Sequence, residues 1–362
     1  MPGSASSATH PRTDPGVTHR LSGSDFLKAC RCQPGERTPV WFMRQAGRSL
    51  PEYRKLRGEG SILEAVAIPE LAATLTMQPV TRYGVDAAVL YSDIMVPLAA
   101  IGFGVDIVPG RGPVVEHPFR TEADLARLRP LEPQVDTAYV LDTIAILVGE
   151  LEVPLIGFAG APFTLASYLI EGGPSRTYAL TKALMRAEPS LWHRLLDALA
   201  ELSLASLRSQ VAAGAAAVQL FDSWAGTLSL RDYESFVAPA SRRVLEGIAD
   251  TGVPRIHFGV GTGELLGAMA GAGADVVGVD WRVPLDAAQH RVGPARALQG
   301  NLDPAICLAP WEVVAASARA VLDDAAGVAG HVFNLGHGVL PETDPDTLAR
   351  LVDLVHEGVG PR

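Results

Sequence analysis

Short apolar runs alternate along this chain with longer stretches whose apolar positions recur at the spacing of one helix face. The runs at 40–43, 87–91, 154–158, 217–221, 255–258, 276–279, 298–300 and 332–335 read as buried strands. The stretches at 62–75, 138–151, 189–212, 229–250 and 310–322 read as amphipathic helices between them. Eight buried strands in regular alternation with helices predict an α/β fold, a closed (β/α)8 TIM-type barrel. The same alternation would also support an open doubly wound sheet. An extra β-hairpin is expected near residues 101–115, with strands at 101–108 and 114–115 around the Pro109-Gly110-Arg111-Gly112-Pro113 turn.

Residues 1–22 break the pattern. Rich in Ser, Thr, Pro and Gly and without an apolar centre, they are expected to be a disordered tail rather than a signal peptide. Residues 23–362 contain no linker and are expected to form a single barrel domain. With 48% hydrophobic and 19% charged residues, the composition is that of a globular protein with a large core. A formal charge of −10 disfavours nucleic-acid partners, and no apolar stretch is long enough for a membrane span. Cys30, Cys32 and Cys307 have neither a disulfide framework nor metal-ligand spacing, which fits the cytoplasm and no bound metal.

Against this acidic background the segment 44–57 carries Arg44, Arg48, Arg54, Lys55 and Arg57 and one acidic residue, Glu52. The 40–43 strand runs into the loop Arg44-Gln45-Ala46-Gly47-Arg48, after which Ser49-x-x-Glu52 reads as a capping box opening a helix. Gly47 would let the backbone approach a ligand, and two guanidiniums at a helix start suit carboxylates or phosphates. In a barrel, chemistry gathers at the C-terminal ends of the strands. The residues that follow other strands there include Asp93 in Tyr91-Ser92-Asp93, Tyr168 beyond Ala161-Pro162-Phe163-Thr164, Ser223 in Phe221-Asp222-Ser223-Trp224, and His337 in Asn334-Leu335-Gly336-His337-Gly338. Gly259-x-Gly261-x-Gly263 lacks the third glycine of a dinucleotide fingerprint, since Glu264 stands there, and reads as a tight turn.

Taken in order, these segments resemble the uroporphyrinogen decarboxylase family, as do Val279-Asp280-Trp281-Arg282-Val283-Pro284-Leu285 and Gln299-Gly300-Asn301-Leu302-Asp303-Pro304, and the resemblance runs from about Leu21 to the C-terminus. Many members carry Tyr at the position of Ser49. The resemblance implies removal of carboxyl groups from the four acetates of uroporphyrinogen III in a haem pathway, without a cofactor, by a homodimer. It carries Asp93 to the essential aspartate, and Arg44 and Arg48 to carboxylate binding and catalysis. Gln45, Ala46 and Gly47 would offer backbone donors, and Tyr168, Ser223 and His337 would contact substrate. Asp93 could otherwise be a helix cap, and Asp222 is a rival carboxylate. His257 is expected to be a satisfied core histidine, and Phe158 and Phe221 core or pocket wall. The rival activities are a corrinoid-linked methyl transfer on the same barrel, which would need His and Cys zinc ligands, and plain anionic-ligand binding without turnover.

Overall fold

Seven strands pair in parallel around the molecule: β1 (Ala88–Val89), β4 (Leu155–Gly160), β5 (Ala217–Phe221), β6 (Arg255–Phe258), β7 (Val276–Gly278), β8 (Ala297–Leu302) and β9 (His331–Leu335), in that order. The computed structural model describes residues 21, 23–108 and 110–358. The expected tail at 1–22 lies outside them except for Leu21, as does Pro109 of the hairpin turn. The eighth position of the barrel is filled by residues 39–43, which touch both open edges. Phe333 of β9 donates its N–H to Pro39 O at 2.8 Å and accepts from Trp41 N at 3.3 Å, while Asp86, just before β1, donates to Val40 O at 2.7 Å.

This segment was expected to be a regular strand, and only Val40 makes a ladder bridge. The reason is that side chains replace the neighbouring backbone. Val40 N–H donates to Asp86 Oδ2 at 2.7 Å, Phe42 N–H to Gln45 Oε1 at 3.0 Å, and Met43 N–H to Asn334 Oδ1 at 3.0 Å. Each backbone N–H from Val40 to Met43 finds an acceptor, as it must away from water, but half of the seam is closed by side chains. Asp86 also accepts from Arg37 Nη2 and lies against His356 Nε2, each at 2.7 Å. Burial alone would push its carboxyl pKa up, but the His356, Val40 and Arg37 contacts outweigh it and hold the pKa below the ordinary range.

Inside the barrel Trp41 donates Nε1–H to Gln299 Oε1 at 3.0 Å, and Gln299 Nε2 donates to Gln219 Oε1 at 2.9 Å, a buried polar layer among apolar ones. Two expected helices are each split. The 62–75 stretch forms Ile62–Val66 and Pro69–Tyr83, because Pro69 pushes Ile68 out of the helical region to φ −111° and ψ 99°. The 229–250 stretch breaks at Val237 before Pro239, giving Leu230–Phe236 and Ala238–Glu246. The expected capping box at Ser49 is absent. The helix Pro51–Arg57 starts with Leu50 as its N-cap and Pro51 in the first position, while Ser49 is turned inward and 4% exposed. A capping box does form one helix later, between Ser61 and Glu64.

The hairpin pairs β2 (Val105–Val108) with β3 (Gly112–Val115) in antiparallel register, Val105 opposite Val115. Residues 101–104 are not strand, since Gly102 and Gly104 turn the chain at φ +80° and +83°. The hairpin and its exit segment brace the helix Pro162–Glu171: Val115 N–H donates to Gly172 O at 3.1 Å and Phe119 N–H to Leu169 O at 2.9 Å.

Candidate active site

The C-terminal ends of the barrel strands bring Arg44, Asp93, Tyr168, Ser223 and His337 to one mouth, each from a different loop or helix. Arg44 sits at φ +59°, a left-handed conformation that a side-chain-bearing residue adopts at a cost. Its aliphatic stem lies across Gly338: a Cβ there would stand 2.5 Å from Arg44 Cδ and 2.8 Å from Cγ. Gly338 is therefore a glycine because Arg44 needs the space. Gly47 serves the loop in a similar way. A Cβ on Gly47 would meet Arg44 O at 2.8 Å, so the absence of a side chain there lets the loop close on its own backbone.

Gln45 is fully buried, and its amide holds the loop by accepting from Phe42 N–H and donating Nε2 to Ala87 O at 3.1 Å. Its own N–H donates to Phe42 O at 3.0 Å. The backbone N–H groups of Ala46 and Gly47 have no protein acceptor among the described residues. Arg44 and Arg48 are exposed, and among the described residues neither guanidinium has a carboxylate partner. A preformed loop thus presents two uncommitted cations.

Asp93 lies in the mouth after β1. Its Oδ1 accepts the Met95 N–H at 2.9 Å, so it does cap the turn ahead of the helix Val96–Ala100. Burial pushes its carboxyl above the ordinary aspartate range, more strongly than the Met95 N–H and the Arg44 charge pull it down. That balance marks a carboxylate short of compensating partners, able to gain much from a cation placed beside it.

Tyr168 is half-buried in the helix Pro162–Glu171, and its phenol pKa is pushed upward by burial and then by Asp93, so the hydroxyl keeps its proton. His337 is held neutral at ordinary pH: burial, with Arg44, pushes it down to about 4, Asp280 opposes this, and Arg282 adds to it. Its ring faces Phe258 with centroids 6.4 Å apart. Phe258 in turn meets Phe221, and Phe221 meets Phe158 edge-on at 5.3 Å, an apolar wall on one side of the mouth.

One expectation is corrected at His257. His257 is buried but not satisfied: Nδ1 is 3.4 Å from Met269 O, and Nε2 has no hydrogen bond and stands 3.6 Å from Asp222 Oδ2. Asp222, the rival carboxylate, is likewise fully buried. Its Oδ1 accepts from Thr164 Oγ1 at 3.1 Å, and the Trp224 N–H points at the same hydroxyl at 3.4 Å. This ties the loop of Ser223 and Trp224 to the helix that carries Tyr168.

Sequence reasoning missed Trp224 as a partner of Tyr168. Their ring centroids lie 3.9 Å apart, and the Tyr178 ring lies 5.0 Å from Trp224. It also missed Asp280 and Arg282 after β7. Trp224 and Arg282 both stand inside motifs read above, but neither has a local pattern that separates a mouth residue from a surface one. The glycines at 259–263 form a bend whose Gly261 N–H donates to Asp280 Oδ2.

The arrangement offers cations for carboxylates, neutral donors, an under-compensated carboxylate and an aromatic wall. A profile of the family described as Uroporphyrinogen decarboxylase (URO-D) matches residues 21–358. A protein named uroporphyrinogen decarboxylase from Salinispora tropica is 63% identical over 335 residues, 92% of this chain and 90% of its own. Those of Streptomyces coelicolor and Frankia casuarinae are 64% and 58% identical, covering 92% and 99% of this chain and 94% and 98% of theirs. Among solved structures, a methyltransferase from Methanosarcina mazei superposes with a TM-score of 0.78 at 21% identity, over 92% of this chain and 97% of its own. A B12-independent methionine synthase from Shewanella gives 0.55 at 12% over 79% and 87%. These two likenesses concern the barrel fold alone.

Proposed function

The chain belongs to the uroporphyrinogen decarboxylase family, carboxy-lyases of haem biosynthesis, and from that premise we propose that the mouth built by Arg44, Arg48, Asp93, Tyr168, Ser223 and His337 is where its acetates are lost. The substrate is the tetrapyrrole uroporphyrinogen III, and conversion of its four acetates to methyl groups gives coproporphyrinogen III and carbon dioxide. The observation that carries the site assignment is Asp93, held by the Met95 N–H, within reach of the charge of an Arg44 that has no carboxylate partner among the described residues.

Breaking the C–C bond of a pyrrole acetate needs an acceptor for the electron pair. Protonation of the pyrrole α-carbon makes the ring cationic, and the pair left by departing carbon dioxide neutralises it as an exocyclic methylene. That methylene takes a proton to become the methyl, while the α-carbon gives its added proton back. The substrate is its own electron sink, and no cofactor takes part. Asp93 stabilises the cationic ring and accepts from pyrrole N–H groups, in a site where burial amplifies the charge. Arg44 and Arg48 hold acetate or propionate carboxylates, and Ala46 and Gly47 supply backbone donors. Tyr168 and the neutral His337 donate without adding charge, while Gln45 acts by fixing the loop. The apolar wall of Phe158, Phe221 and Phe258 keeps water from the reacting face.

Protein freed of metal by chelation and gel filtration is expected to release carbon dioxide from uroporphyrinogen at the untreated rate and to accumulate coproporphyrinogen. Activity restored only by added metal would overturn cofactor independence, and binding without turnover would overturn the assignment of chemistry to this mouth.

We further propose that the protein acts in the cytoplasm, in keeping with its three unpaired thiols, and as a homodimer whose mouths shelter the substrate. None of the described helices is long and apolar enough to cross a membrane. Sedimentation at micromolar concentration is expected to give twice the 38.2 kDa chain mass, and a fully active monomer would rule the dimer out.

A further inference from the structure

Arg282 follows β7 and stands on the same rim as Arg44. The contacts around that rim are continuous. Arg44 lies on Gly338, His337 precedes it, and Gly336 packs so tightly on the next loop that a Cβ would meet Trp281 N at 2.4 Å. Arg282 is the residue after Trp281, and its charge, like that of Arg44, depresses His337. Two contacts hold its guanidinium in place. Nη1 donates to Asp280 Oδ2 at 2.6 Å, and Cζ lies 4.1 Å over the Trp281 ring.

Asp280 is 2% exposed and fully engaged: Oδ1 accepts the Arg282 N–H at 3.0 Å, and Oδ2 accepts Gly261 N–H as well as the guanidinium. The Arg282 side chain is still 50% exposed. Its Nε and Nη2 donors have no acceptor among the described residues. A guanidinium anchored on one edge and open on the other is a preorganised half of a carboxylate fork.

We propose that Arg282 is a substrate-binding residue that takes a tetrapyrrole carboxylate remote from the acetate being lost. The proposal rests on the function given above. Uroporphyrinogen carries four acetates and four propionates, so carboxylates must meet the rim well away from Asp93. A contact to a non-reacting carboxylate is made equally before and during bond cleavage, so its loss raises KM and spares kcat.

The test compares wild type with Arg282→Ala, Arg282→Gln and Arg282→Lys on uroporphyrinogen. The Ala variant is expected to raise KM about five- to tenfold, a discounted charge-assisted contact at a half-exposed position, with kcat within about twofold. Gln keeps a donor to Asp280 and a flat group over Trp281 but not the charge, and is expected to match Ala. Lys is expected to recover part of the loss, and raising ionic strength to narrow the gap between wild type and Ala. Wild-type KM in the Ala or Gln variant, or a fall in kcat and melting temperature at constant KM, would overturn the assignment and leave only a loop-bracing role. Failure of the wild type to release carbon dioxide would strike the proposed function instead.

Discussion

Asp93→Asn is expected to lower kcat about 10²–10³-fold while KM changes little and the protein melts no lower than wild type. The catalytic part follows from where the charge acts. A carboxylate facing a ring that becomes cationic only during reaction stabilises that state more than the bound substrate, and removing one such preorganised group typically costs factors of this size. The stability part follows from the raised carboxyl pKa. For an acid raised on folding, the stabilising balance is complete below its unfolded pKa and is lost as pH rises through the folded value. Ionisation of Asp93 therefore weighs against the fold, and an amide removes that weight while its oxygen still accepts the Met95 N–H. Asp93→Glu keeps the charge one methylene out of place and should retain more turnover than Asn. Steady-state kinetics and thermal melts of the two variants decide the matter. If Asp93 were only a cap, Asn would cap equally well, and an active Asn variant would end the catalytic claim.

Arg44→Ala is expected to raise KM about 10- to 100-fold, the range for a charge-assisted contact worth about 1.5–3 kcal/mol. The melting temperature should move little, because Arg44 is exposed and leaves no carboxylate partner unpaired among the described residues. Arg44→Lys should restore only part of the affinity, since an ammonium cannot form the planar fork. Arg48→Ala should act in the same direction. Uroporphyrinogen titrations with wild-type KM in both alanine variants would refute the carboxylate role. The left-handed backbone at Arg44 adds a control: Arg44→Gly relieves the positive φ and should weaken binding as much as Ala does.

The barrel was legible in the sequence because its interior strands are apolar on both faces and so stand out as short runs, β4 to β7 falling close to the expected bounds. Helix ends were less legible. Pro69 and Pro239 each divide an apolar pattern that reads as continuous when only periodicity is followed. Ser49 shows the limit of a local motif, since the capping pattern is present but burial turns the serine inward. The mouth was legible because a barrel gathers its strand ends, which places residues as distant as Arg44 and His337 on one rim. What the sequence withheld were relations between loops. The Tyr168 stack on Trp224, the buried approach of His257 to Asp222, and the stem of Arg44 over Gly338 each join segments with no shared local pattern.

The seam at residues 39–43 has a genetic consequence. In an ordinary ladder the bonds belong to the backbone, so any residue but proline can occupy a position without breaking them. Here three of the closures belong to Asp86, Gln45 and Asn334. The ring is thus held shut by side-chain identity, and single-codon changes at these positions can unfasten it where the same changes elsewhere in the sheet could not. Of the three, Gln45 lies in the loop that carries Arg44, and Asn334 borders the one that carries His337. Inherited tolerance to change should therefore be lowest along one meridian of the barrel, the one from which the loops of Arg44 and His337 hang.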